Sequence, residues 1–567
     1  MPQKDDGHSI ISAAGFEMSD NTLTTIIINL DGTYDLRDKF AVSKGATWRA
    51  FSSAECAQPT EITKRVADVE YGWNDVYVMV ENQTTYESTV YNLKIYRAPV
   101  SSVTLLEDDT YEIDKGVDFP EVIIPSKYNG KIITAIGGSA FYNCSGLTSI
   151  TIPDSVTSIG DYAFGNCSKL ESITLPFADT YMGYIFGSRS HSNTKETRLI
   201  PSSLKTVIIS SSSGVTSIGD YAFYDFGHVT SITIPDSVNS IGKEAFCRCS
   251  ELESITLPFI GASKAANKGY DQVFGYIFGY DITTQSDIPG ATCQWYVRGS
   301  SYGTYYHYYI PSSLKNVILS DCVTSVGGKA FYNCSNLTNI TIPDSVTSIA
   351  GNAFYGCSGL KYNEYDNGLY LGNGSNPYLV LIKAKSTNIT SCMINEKCKF
   401  IHSSAFEYCG GLTSITIPGS VTSIGGSAFS SCSGLTSITI PSSVTSIGSY
   451  AFYYCRGLTS ITIPDSVTSI HDFAFYGCIG LTSVTIPDSV TSIGFAAFEA
   501  CSGLTSVTIG NGVTSMGDAM FWNCSKLTEI RFNGTISQWE AISKGYSWHY
   551  KVPSSCKVIC NDGTISL

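Results

Sequence analysis

Nineteen cysteines are the first chemistry that this chain of 567 residues offers. Eleven of them recur at one repeated position: Cys144, Cys167, Cys249, Cys334, Cys357, Cys409, Cys432, Cys455, Cys478, Cys501 and Cys524. Phe226 fills that slot once, and a slot that accepts Phe is a core slot, so the thiols read as small buried hydrophobes. Disulfides along the ladder are disfavoured, because stacked parallel side chains hold their Cβ atoms about 4.8 Å apart, beyond the favoured range of about 3.5–4.5 Å. Cys556 and Cys560 lie outside the ladder, and the sequence leaves open whether they are bridged. Cys247-Arg248-Cys249 is a lone C-x-C with no second pair at zinc-finger spacing. The seven histidines are scattered, and none of the H-E-x-x-H, G-x-S-x-G or P-loop patterns occurs. No catalytic residue, metal or cofactor is therefore expected. The sequon at Asn143-Cys144-Ser145 is written by the repeat itself and does not argue for glycosylation.

Aromatic residues are the stronger functional signal. Trp295, Tyr302, Tyr305, Tyr306, His307, Tyr308 and Tyr309 crowd one insertion among Gly and Ser, a mixture of rigid rings and adaptable loop suited to recognition. That insertion and an earlier one leave just after the strands ending Leu175-Pro176-Phe177 and Leu257-Pro258-Phe259. Both contain Gly-Tyr-Ile-Phe-Gly, at 183–187 and 275–279, and both rejoin through Ile-Pro-Ser-Ser-Leu, at 200–204 and 310–314. The shared Tyr-Ile-Phe is expected to replace a missing core turn, which leaves the Tyr-rich tail free to bind. The two insertions are then expected to form one binding lip. A second ladder, of outward hydroxyls such as Ser460 and Thr462 or Ser483 and Thr485, is poor in anchors and reads as structural.

These side chains must be held by a repeat. Leu412, Leu435, Leu458, Leu481, Leu504 and Leu527 open units of 23 residues, and residues 458–480 read LTSITIPDSVTSIHDFAFYGCIG. Ile461 and Ile463 alternate with Thr462 as in a strand buried on one face, and Pro464 ends it. A second extended stretch follows near Val467 and Ile470, and Ala474, Phe475 and Cys478 have the spacing of one helical turn. One such coil cannot bury enough to fold alone, so stacking must stabilise the array. The template also finds openings at Phe119, Leu147, Leu170, Leu204, Val229, Leu252, Leu314, Leu337, Leu360 and Ile389, giving 16 coils. Fifteen steps of about 4.8 Å make a sheet roughly 70 Å long, with the two insertions roughly 14 Å apart.

The pattern L-x-x-I-x-I-P followed by V-x-x-I-G-x-x-A-F-x-x-C resembles the BspA-type leucine-rich repeat family over about residues 103–530. That resemblance implies a surface-displayed or secreted binding protein, without catalytic residues to transfer. The expected fold is mostly β: a leucine-rich-repeat solenoid of about 16 coils preceded by a small β-sandwich domain. Residues 1–15 read as a linker and 16–98 as the sandwich, which resembles cadherin-like or immunoglobulin-like modules. Insertions are expected near 177–200, 259–310 and 361–385, the last a hairpin, and 531–567 reads as a C-terminal cap offering Trp539, Ile542 and Trp548.

Composition narrows the partners. Only 15% of residues are charged and the formal charge is −14, with no basic block to neutralise phosphates, so nucleic acid is not an expected partner. No apolar run reaches the length that spans a bilayer. Residues 1–10 show no basic and apolar export signal, so an extracellular or surface location follows from the family resemblance alone. Two functional classes remain: a binding or adhesion protein recognising proteins or glycans, and a passive spacer. Aromatic insertions favour the first and uninterrupted coils the second.

Overall fold

A computed structural model describes residues 10–13, 17–19, 22–27, 34–36, 39–42, 46–51, 61–62, 65–66, 71–86, 88–188, 199–212, 214–265, 272–281, 291–298 and 304–567. From residue 119 onward the chain is a β-solenoid of about 16 turns built on the 23-residue repeat. Each Ser-Ile-Thr segment forms a short strand, and most of these pair in parallel with an equivalent one repeat away. Ser149 lies opposite Ser172, for example, and Ser437 opposite Ser460. Eight such strands, from Glu121–Ile123 to Asn339–Thr341, run as one parallel sheet. The Val-x-x-Ile stretch gives a second parallel ladder, in which Ile447 pairs Ile470 and Ile470 pairs Ile493. In-register pairing keeps Leu, Ile, Val, Ala, Phe and Cys of every coil on the inside, where most are below a tenth exposed.

The Ala-Phe segment departs from expectation, for it is not a helical turn. Phe473 and Gly477 take positive φ (56° and 69°), as do Tyr450 and Tyr454 one coil earlier. This left-handed punctuation directs N–H groups sideways, to the next coil, where a helix would direct them back along its own axis. Ser427, Phe429 and Ser431 donate to the carbonyls of Ser449, Ala451 and Tyr453. Phenylalanines consequently stack in a column, with Phe406, Phe429, Phe452 and Phe475 spaced 5.3 Å centroid to centroid and within 9° of parallel.

The cysteine ladder lines the same column, and its described members are free thiols. Their preference for sulfur has a polar reason that the sequence does not display. Cys455 Sγ–H donates to the Phe429 carbonyl at 3.0 Å, Cys478 to Phe452 at 3.2 Å and Cys501 to Phe475 at 3.1 Å. Burial pushes the Cys455 and Cys501 thiols up to about 12. Cys556 and Cys560 are free and buried as well.

The first insertion begins later than the sequence suggests. After strand Ser172–Leu175, Ala178 still bridges Ile218 in the second ladder, and Met182–Phe186 then forms a 3-10 turn. Phe274–Phe278 repeats this arrangement. Met182 and Phe274 donate their N–H to the carbonyls of Ala222 and Ala330, so each turn occupies an Ala-Phe rung as expected. In the first insertion the additional chain leaves after the rung, because Ala178 keeps the second ladder without spelling Val-x-x-Ile, whereas in the second ten additional residues already precede the rung. In the coil opened by Leu360, Asn363–Tyr365 and Gly368–Leu371 form the expected hairpin.

Before residue 98 the structure gives strands Glu17–Ser19, Thr22–Ile27, Ser88–Arg97, Gly72–Asn82, Ala46–Phe51 and Glu61–Ile62 in one six-stranded sheet. Two further pairs of short strands accompany it among the described residues. A sandwich requires two packed sheets of comparable extent, so the cadherin-like or immunoglobulin-like assignment is not supported. At the other end, helix Ile536–Ala541 starts on a Thr535/Gln538 capping box, and Trp539, Ile542 and Trp548 are buried. The last rung is closed by the carbonyls of Tyr546, Trp548 and Tyr550, which accept from Ala519, Phe521 and Asn523.

Candidate functional site

The larger insertion folds into a small antiparallel sheet. Ala291–Arg298 pairs with Thr304–Pro311, which also pairs with Tyr280–Asp281. Gln294 and Tyr308 lie opposite each other and both are fully buried. The Gln294 amide oxygen accepts from the Gly275 N–H at 2.6 Å, and its nitrogen donates to the Ala330 carbonyl at 3.0 Å. Gly275 permits this approach, since a Cβ there would lie 2.3 Å from Cβ of Tyr308. The sheet is thus fastened to the turn edge of the solenoid at the rung of Ala330.

This fastening divides the seven predicted residues. Tyr308 is 0% exposed and belongs to the anchor, which corrects its reading as a free binding ring. Strand alternation is the reason, because Tyr308 shares a register pair with Gln294. Tyr306 holds a position of the same alternation as Tyr308. Trp295 paired with His307, and Tyr305 paired with Val297, hold the alternate positions, as does the half-buried Tyr309. Tyr302 lies outside the described residues, as do 189–198 of the first insertion, so the proposed contact between the insertions does too. The two parent coils are three steps apart in the sheet, as the repeat count requires.

A second aromatic surface escaped the sequence reading. On the turn edge of three consecutive coils, Tyr450 stacks on Phe473 at 4.7 Å, and Phe473 meets Phe495 edge to face at 5.0 Å. Tyr453 stacks on Tyr476 at 4.9 Å and touches Tyr454 at 4.4 Å. Tyr450 and Phe495 are 39% and 42% exposed. The guanidinium of Arg456 lies 5.1 Å over the Tyr454 ring. One coil earlier the equivalent positions are Ser427, Ser430 and Ser431, which need no burial and gain nothing from stacking. The signal was present in the rung letters SYAFYYC and DFAFYGC against GSAFSSC, but the invariant core letters drew attention away from them. Burial raises the Glu499 carboxyl beside these rings above the usual carboxylate range.

Among the described residues no group of three or more His, Cys, Asp or Glu is placed to hold a metal ion. No helix among them is long and apolar enough to cross a membrane. The sequence profile of the BspA type leucine-rich repeat region matches in six copies, over residues 117–206, 201–261, 301–375, 383–478 and 445–561. This chain belongs to the BspA-type leucine-rich repeat family. Three solved structures are similar to this family member. A leucine-rich cell surface protein of Faecalibacterium prausnitzii is 27% identical, over 78% of this chain and 95% of its own, with a TM-score of 0.28. A leucine-rich repeat protein of Bacteroides ovatus is 22% identical, over 81% and 97%, with a TM-score of 0.24. The pneumococcal vaccine antigen PcpA is 18% identical, over 81% and 94%, with a TM-score of 0.25. Scores this low leave the family assignment resting on the repeat sequence. No curated protein matches the chain.

Proposed function

We propose that this repeat protein is a non-enzymatic binding or adhesion protein, displayed at a cell surface or secreted, that recognises proteins or glycans. Its contact surfaces are the turn-edge aromatic ridge and the Tyr-rich insertion sheet. The observation that carries this reading is the ridge: Tyr450, Phe473 and Phe495 are partly solvent-exposed on successive coils, where Ser would fold as well. Exposed contiguous aromatic surface opposes solubility and is characteristic of recognition surfaces. The hydroxyl-lined strand face of the uninterrupted coils from Ile389 to Leu527, as distinct from their aromatic turn edge, is the surface that a spacer role would explain. A glycan and matrix-protein array separates the readings. Replacing Tyr450, Phe473 and Phe495 by Ser, or Trp295, Tyr302 and Tyr305 by Ser, is expected to remove array binding while the circular dichroism spectrum is unchanged. Full binding by a folded chain carrying both sets would refute the assignment.

A further inference from the structure

The coil opened by Leu360 breaks the array in one respect that creates a site. The regular turns of the second half of the array donate three N–H groups to the following turn, as Ser404, Phe406 and Tyr408 do to Gly426, Ala428 and Ser430. The coil after Leu337 should receive the corresponding bonds from Asn352, Phe354 and Gly356, but it lacks the Ala-Phe rung. None of these three N–H groups has an acceptor among the described residues. They border a cavity of about 430 Å³ between this turn and the one at 402–407. Asn352 and Gly356 have φ of 60° and 78°, the same left-handed form that in the regular turns points alternate N–H groups out toward separate acceptors on the next coil. Lys383 lines the same cavity, with its ammonium 5.1 Å over the Tyr362 ring.

On the facing wall the backbone carbonyls are engaged, and the buried His402 Nε2 is left without a partner among the described residues, an atom that a ligand hydroxyl would satisfy. The Ser403 carbonyl is 3.1 Å from His402 Nδ1, and the Ala405 carbonyl accepts from Ala384. A peptide turn completing the missing rung would bring donors as well as acceptors, whereas the open wall asks for acceptors. That asymmetry favours an anion over a polypeptide. Tyr355, 60% exposed, and Tyr362 also line the cavity, while Ser404 and Glu407 offer hydroxyl-binding groups on its far side. We propose that this cavity binds a carboxylate-bearing sugar, with the carboxylate at the 352–356 N–H row and Lys383, and the ring against Tyr355. The volume suits one or two sugar units. The site is independent of the aromatic ridge, so failure of either leaves the other standing.

The test is calorimetric titration of the full chain with glucuronate, with glucose and inorganic phosphate as comparison probes. Glucuronate is expected to bind at least tenfold tighter than either. Lys383→Gln should weaken it about tenfold, the value of one charge-assisted hydrogen bond. Tyr355→Ser should weaken it too, and because that ring is exposed the variant remains folded. Lys551→Gln, far along the array, should change nothing. Equal binding of glucose would overturn the carboxylate assignment, and equal binding of phosphate would overturn the sugar, leaving a small-anion site only. Absence of glucuronate binding, or full binding by both the Lys383 and Tyr355 variants, would overturn the proposal entirely.

Discussion

Alkali should unfold this protein in a narrow range, and the thiol column sets where. Cys432, Cys455, Cys478, Cys501 and Cys524 are all 0% exposed and stack in one continuous core. Burial raises each above the ordinary thiol value of 9.0; Cys455 and Cys501 reach about 12, and Cys432, Cys478 and Cys524 shift in the same direction. The native state therefore keeps its protons while the unfolded chain releases them. Below pH 9 both states are protonated and stability is flat. Above it the unfolded state binds fewer protons, so stability falls with rising pH until the native thiols themselves titrate. At pH 10 each thiol favours the unfolded chain by about 1.4 kcal/mol, so five contribute about 7 kcal/mol. A whole domain is commonly stable by only about 5–15 kcal/mol.

Urea unfolding at pH 8, 9 and 10, followed by far-ultraviolet circular dichroism, measures the slope. Thiolate absorbance recorded in parallel reports which state ionises. The expected result is a steep loss of midpoint above pH 9, with the ladder's share of the thiolate, beyond that of the exposed Cys322, appearing only as structure disappears. Cys478→Ser provides the internal control: its hydroxyl can still donate to the Phe452 carbonyl, which Cys478 reaches at 3.2 Å, yet it does not titrate. Its slope should be smaller by one proton. Thiolate absorbance near pH 9 in a folded chain that exceeds the contribution of the exposed Cys322 and the other cysteines outside the ladder would refute the burial argument.

Three further outcomes test the stacking. Deleting residues 435–457, one whole repeat, should leave a folded β-rich protein, whereas deleting eleven or twelve residues within it should not; circular dichroism and proteolysis distinguish them. Phe452→Ala removes a ring 5.3 Å from both Phe429 and Phe475 and should cost about 3–5 kcal/mol in urea unfolding; a loss below 1 kcal/mol, by the same yardstick, would mean the column is not tightly packed. Gly494→Ala places a Cβ 2.5 Å from the Asp472 N and its carboxylate, the group that holds the Phe495 N–H, and should cost about 1–3 kcal/mol by overpacking.

The repeat was legible because burial imposes it. A residue at the Ile461 or Phe475 position faces the interior in every coil, so the letters barely vary and the period can be counted. Backbone conformation was not legible in the same way. Phe473 at φ 56° and Tyr454 at φ 53° occupy positions that Ser and Ala also fill, so no residue type marks the left-handed turn, and the spacing of Ala474, Phe475 and Cys478 imitates a helix. The Cys ladder was placed correctly but explained incompletely, since the bond to a carbonyl one coil back depends on that unseen turn. Tyr308 failed for a related reason: among neighbouring tyrosines only strand register tells the anchor from the rest, and register follows from Gln294, which composition does not single out.

Places where the repeat is broken have a common physical meaning. A solenoid satisfies its backbone by lending each coil's N–H groups to the next, so losing one rung leaves donors unmet in the coil before it. Where the chain supplied a substitute, as Met182–Phe186 and Phe274–Phe278 do, the Phe column continues: Phe274 lies 5.2 Å from Phe331. At Leu360 no substitute came. Phe354 meets the His402 ring at 5.7 Å, and its own N–H and those of Asn352 and Gly356 are left facing the cavity. An array able to repair two lost rungs but leaving the third open retains a donor row at some cost to stability, and a ligand with acceptor oxygens is the chemistry that would offset that cost.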